Sequence, residues 1–130
     1  MSVEVRALLM CDLAFQQAGT GAWHIIGVYD RVFVRELPAT HAPMVAFWSL
    51  KGFSGDAMVM LTIRDNVGDV VHALRAMIPK LPGDALEHAF AFPPILFKKD
   101  GSHVLELHVA DRLLALRSFH VQIVAPPKPV

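Results

Sequence analysis

Apolar and polar positions alternate with a period of two along much of the chain. From Asp56 to Asp65, Ala57, Val59, Leu61 and Ile63 alternate with Met58, Met60, Thr62 and Arg64. From His103 to Val109, Leu105, Leu107 and Val109 alternate with Val104, Glu106 and His108. From Arg117 to Val124, Phe119, Val121 and Ile123 alternate with Ser118, His120 and Gln122. Successive side chains of a strand point to opposite faces, so each pattern describes a strand with one face for a core. Further strands are expected at Val3–Met10, Ala22–Tyr29, Val32–Val34, Pro43–Leu50, Val70–Arg75 and Leu86–Phe92. Asp84 to Ala91 alternates weakly and leaves a short helix open as the alternative.

Turn-forming groups punctuate these runs at Ala18-Gly19-Thr20-Gly21, Gly52-Phe53-Ser54-Gly55, Asn66-Val67-Gly68, Pro82-Gly83-Asp84 and Asp100-Gly101. Asp111-Arg112 is expected to turn the last hairpin, with Arg a poor fit to the positive φ of a tight turn. Frequent short strands with such punctuation predict an all-β, mostly antiparallel sandwich of about seven to nine strands over residues 1–125. Pro126-Pro127-Lys128-Pro129 cannot enter a sheet interior, so residues 126–130 are expected to form a proline-rich tail that is extended or disordered.

One strand breaks the two-faced rule. On Met44 to Leu50, Val45 and Phe47 occupy one face and Met44, Ala46, Trp48 and Leu50 the other, and both are apolar. Such a strand is either covered on two sides or shows one face to a partner. Met58 and Met60 also fall opposite the core set of their strand, and Val70 to Ile78 is broken only by His72 and Arg75. Methionine and aromatic side chains suit adaptable protein contacts, so Met44, Trp48, Met58 and Met60 are the expected partner-binding residues. A second layer of the same domain folding over the sheet is the competing reading.

Composition points the same way. The 130 residues are 54% hydrophobic and 18% charged, with mean hydropathy +0.43, against roughly 25% charged in an ordinary domain. The surplus implies an interface with a second copy or a larger protein. Twelve basic and twelve acidic residues cancel, which argues against nucleic acid as a partner. A single cysteine, Cys11, and the lack of a leader pattern or a membrane-length apolar run lead to the expectation of a cytoplasmic protein.

The segments Leu9-Met10-Cys11-Asp12, Ile26-Gly27-Val28-Tyr29-Asp30-Arg31 and Leu37-Pro38-Ala39-Thr40-His41 give the chain a resemblance to a family of small bacterial proteins of unknown function. The closing hairpin from Asp100-Gly101 to Val124 is similar too. The resemblance implies an immunoglobulin-like or C2-like sandwich and no established activity.

Three clusters carry candidate chemistry. Among seven histidines, no pair has the local spacing of a zinc motif. Glu106, His108, His120 and Gln122 lie on neighbouring strands, however, and Glu106, His108 and His120 define the alternative reading, a two-His, one-carboxylate metal site. Asp12, Asp30, Asp65, Asp69, Asp100 and Asp111 fall at strand ends, where turn chemistry competes with Ca²⁺ binding and is the preferred reading. Cys11 with His24 or His41 is a conceivable nucleophile and base, but burial at the end of an apolar strand is the ordinary role of such a cysteine. No catalytic motif, phosphate-binding loop or dinucleotide fingerprint is present. The reading is therefore a non-enzymatic, cofactor-free interaction or self-association module.

Overall fold

The computed structural model describes residues 3–52, 55–79 and 85–124. They form eleven strands and no helix: β1 (Glu4–Gln16), β2 (Trp23–Val28), β3 (Arg31–Val34), β4 (Ala39–His41), β5 (Met44–Lys51), β6 (Ala57–Arg64), β7 (Val70–Ile78), β8 (Ala85–Phe92), β9 (Ile95–Phe97), β10 (Gly101–Val109) and β11 (Arg112–Ile123). Two more strands form than the alternation predicts, because the three-residue pair β4 and β9 is too short to show a period. The region left open as a helix is strand β8, paired along its length with β5. The proline-rich tail and the Pro82-Gly83-Asp84 turn lie outside the described residues, as do Phe53 and Ser54 of the Gly52–Gly55 turn.

The strands make a four-stranded sheet in the order β2-β1-β5-β8, a five-stranded sheet in the order β3-β11-β10-β6-β7, and the small pair β4-β9. All pairings are antiparallel except β3 with β11, which run parallel from His120↔Arg31 to Ile123↔Val34. The two main sheets close on one core. Met10, Trp48 and Leu50 enter it from the first sheet, and Val59, Leu61, Ile63, Leu105, Leu107 and Phe119 from the second. Ile95 and Phe97 of β9 enter it as well. The period-two sets read from the sequence for β6 and β10 thus face inward, as do Phe119 and Val121 of β11, whereas Ile123 at its end is exposed. Each large apolar side chain so buried contributes roughly 1.5–3 kcal/mol.

The last hairpin turns one residue earlier than Asp111-Arg112. Ala110 and Asp111 both have positive φ, at 50° and 65°, and Val109 pairs with Arg112. Asp tolerates the left-handed region, whereas Arg does so at greater cost, and the shift places Arg112 in the strand.

Strand β5 is buried on both faces, and part of the same chain supplies the cover. Trp23, at the start of β2, pairs with Gln16, while Phe47 pairs with Leu9. Seven residues of straight strand would separate these positions by about 23 Å. The Trp23 and Phe47 rings nevertheless lie 5.3 Å apart. The far end of the β1–β2 hairpin therefore bends back over the outer face of β5, where Val45 and Phe47 are buried outside the central core.

Candidate functional site

The expected partner-binding residues divide between two environments. Met44 and Trp48 are 1% and 0% exposed and belong to the core, which corrects their assignment to a contact face. Their face of β5 meets the opposing sheet, and Trp48 packs edge-on against Phe90 with centroids 4.7 Å apart. Met58 and Met60 do point outward, on the five-stranded sheet. Met58 pairs across the strands with Met77, and the two are 36% and 56% exposed. Met60 pairs with His108 on its other side, and His108 with Leu113. Leu116, 57% exposed, lies opposite Glu106 on the same face. Leu113 and Leu116 were not among the expected contacts because β11 begins five residues before the alternation at Arg117 becomes visible. Met77 lies in the apolar stretch from Val70 to Ile78, which was the available signal for it.

The histidine site does not assemble. Glu106 is held by Arg64, Nε donating to Oε1 at 2.7 Å. His108 pairs with Leu113 near the turn, whereas His120 pairs with Ser102 at the opposite end of the hairpin. Six residues separate Ser102 from His108 along β10, about 20 Å, so His108 and His120 cannot share an ion. Among the described residues no group of three His, Cys, Asp or Glu side chains is placed to hold a metal.

Asp65 performs turn chemistry. Its Oδ1 accepts the Val67 and Asp69 amides, each at 3.0 Å, and its Oδ2 lies 3.6 Å from Lys99 Nζ. Burial alone would raise the Asp65 carboxyl, but the two amides and the lysine outweigh it and hold the group below its ordinary value. Cys11 is fully buried and its Sγ contacts the Val45 carbonyl at 3.7 Å. Burial pushes its thiol up, the Leu13 amide opposes, and Asp12 adds to the rise. These are the conditions of a packed thiol rather than an activated one. His24 stacks on Phe15 at 4.9 Å and binds Gln17 through Nε2 at 2.9 Å.

The three segments that carry the family resemblance converge on one open cleft of about 420 Å³, lined by Asp12, Gly27, Val28, Tyr29, Arg31, Phe33 and His41. Asp12 stands where β1 passes the bend, directly against Gly27. Gly27 has φ +72°, and a Cβ there would lie 2.5 Å from Asp12 Oδ2. A side chain at position 27 would thus displace the carboxylate. The Tyr29 hydroxyl donates to the Pro43 carbonyl at 3.2 Å and lies 3.3 Å from His41 Nε2. With the phenol proton so placed, Nε2 carries the proton of the second bond and donates to the hydroxyl oxygen. Burial raises the Tyr29 phenol, with the Asp12 and Cys11 charges adding. Burial lowers the His41 imidazole, with Asp12 opposing. Both groups are therefore neutral at pH 7. Arg31 donates from one terminal nitrogen to Gln122 Oε1 at 2.8 Å.

A family model, described as a family of unknown function (DUF6941), matches residues 6–122. No curated protein matches the chain. Among solved structures, the chain is similar to the alkylpurine DNA glycosylase AlkC of Pseudomonas fluorescens, solved bound to DNA containing an abasic site analogue. The identity is 12%, with 92% of this chain covered and a TM-score of 0.51. The chain spans 30% of the glycosylase's length, so the likeness is one of fold. It is also similar to an immunoglobulin-like protein from Pseudomonas aeruginosa, at 17% identity over 94% of this chain and 98% of that one, with a TM-score of 0.49.

Proposed function

The chain belongs to this family of unknown function, and from that premise we propose that it is a non-enzymatic interaction module. In this reading it self-associates as a symmetric dimer through the outward face of its five-stranded sheet. The observation that carries the reading is the patch of Met58, Met60, Met77, Leu113 and Leu116, with Arg75 and His108 on either side of Met60, on the open side of a sheet whose other side is the core. Exposed apolar side chains gathered on one face among polar residues mark protein–protein contacts.

A second copy suits this face for two reasons. The four longer strands, about 4.8 Å apart and about eight residues long at about 3.3 Å each, present roughly 500 Å² in projection. That is of the same order as the ~800 Å² per partner of a standard interface. The chain also has formal net charge +0, so two copies meet no long-range repulsion. The ion pair of Arg64 with Glu106 on this face is satisfied within a single copy.

Native mass spectrometry over a concentration series tests the reading. The parent is expected to give a dimer, and Met77→Lys plus Leu116→Lys a monomer with an unchanged melting temperature. Both positions are exposed, so loss of fold is not expected. A parent that stays monomeric throughout the series, or a double variant that stays dimeric, overturns the proposal.

A further inference from the structure

The cleft beneath the bend of β1 carries opposite charges that do not neutralise one another. Asp12 and Arg31 both line it, yet Asp12 has no hydrogen bond or ion pair among the described residues. The ion pairs Arg64 with Glu106 and Lys99 with Asp65 involve neither residue of the cleft. Each charge is held in place separately. Asp12 rests against Gly27, where there is no room for a Cβ, and Arg31 is tethered to Gln122. A guanidinium has five N–H donors, so most of those of Arg31 remain unused by this bond. Val28 and Phe33 add an exposed apolar wall to the same cleft.

The ligand that complements this arrangement has two poles and an apolar body. A simple cation attracted by Asp12 also meets Arg31, and a simple anion attracted by Arg31 also meets Asp12. Like-charge approach disfavours both. A molecule with an ammonium and a carboxylate satisfies the two residues together, each through a charge-assisted hydrogen bond. A volume of about 420 Å³ falls in the range of small-molecule sites and is too small for a large cofactor. We propose that the cleft binds a free α-amino acid with an apolar side chain, with Asp12 receiving the ammonium, Arg31 the carboxylate, and Val28 and Phe33 the side chain. The cleft lies at the β3 edge of the five-stranded sheet, where Arg31 and Phe33 stand on the outward side, and its lining shares no residue with the Met58, Met77, Leu113 and Leu116 patch.

Two-dimensional ¹H–¹⁵N NMR of the labelled protein tests this with four probes: L-phenylalanine, L-leucine, 3-phenylpropionate and phenethylamine. At least one amino acid is expected to give saturable shifts centred on the amides of Gly27, Val28 and Arg31. The two single-pole analogues, which lack the ammonium or the carboxylate, are expected to bind at least about tenfold more weakly, a step of 1.4 kcal/mol. Asp12→Asn and Arg31→Gln, each confirmed folded by its melting temperature, are expected to weaken the amino acid by a similar factor. Absence of saturable shifts with both amino acids overturns the proposal. So does equal binding of phenethylamine or phenylpropionate, or unchanged binding in both variants.

Discussion

Trp23 and Phe47 touch, with ring centroids 5.3 Å apart, although the strand pairings alone would place them about 23 Å apart along β1. This contact explains how a strand with two apolar faces exists in a two-sheet domain. The outer face of β5 is covered by the chain's own β1–β2 hairpin. The same hairpin leaves Leu13, Phe15, Ile26 and Val28 exposed.

Removing the contact should loosen the hairpin without dissolving the core. Trp23→Ala is expected to cost about 1–3 kcal/mol in denaturant unfolding, less than truncation of a fully buried large side chain. Hydrogen exchange should quicken in β2 and the distal half of β1 while β6 and β10 keep their protection. Uniform loss of protection across both sheets would show that the hairpin is not a separable cover.

The burial of Trp48 sets a contrasting expectation. Trp48→Ala is expected to cost about 3–5 kcal/mol, with no selective effect on subunit number. Met58→Glu, on the open face, should cost under about 1 kcal/mol and weaken self-association. Urea melts and native mass spectra of the two variants separate the core role from the surface role.

Gly27 and Asp12 form a steric pair. Gly27→Ala is expected to destabilise by about 1–2 kcal/mol, from the left-handed backbone and the collision with the carboxylate. Combining it with Asp12→Gly removes the collision and should recover part of the loss. A double-mutant cycle with no coupling would place the whole cost on the backbone.

Stability should fall in mild acid. His41 and His88 are both lowered by burial, with Asp12 opposing at His41. The unfolded chain therefore binds protons that the folded chain refuses. The contribution is fully present above the ordinary imidazole value of about 6.5 and is lost as pH falls below it. The depressed Asp65 carboxyl adds a second loss as pH drops through and below about 4. Melting temperatures at pH 8, 7, 6 and 5 should decline, and His88→Gln should flatten part of the slope between pH 7 and 5.

The fold was legible where alternation is strong. β6, β10 and β11 each carry a clean period of two, and their inward sets belong to the observed core except for Ile123, which is exposed at the end of β11. The helix considered for Asp84 to Ala91 had only weak alternation to decide it. In the structure that strand is an edge paired on one side with β5, where burial is partial and periodicity fades. The metal set failed for a reason contained in the turn itself. A hairpin turning at Ala110-Asp111 forces His108 against Leu113 and His120 against Ser102, so polar residues on neighbouring strands were still far apart. Met44 and Trp48 were misplaced because alternation says that two faces are apolar and not what covers each. That depends on the bend in β1, which no local pattern encodes. The cleft was half visible. Asp12, Gly27, Tyr29 and His41 lie in the segments of the family resemblance, but their meeting at one place, with Arg31 and Phe33, is a product of topology.

The parallel pairing of β3 with β11 also bears on how the chain is made. Arg31 to Val34 wait for partners at His120 to Ile123, about 90 residues later in synthesis. On the ribosome the first sheet has its β1, β2 and β5 strands well before β11 emerges. β3 meanwhile carries unpaired backbone groups and its apolar Val32 and Val34 in the open. Closure of the second sheet is a late, long-range event of the kind that folds slowly and exposes strand edges on the way. A nascent chain stalled short of His120 would therefore hold a half-built sandwich, and that state is where chaperone capture or premature self-association would act.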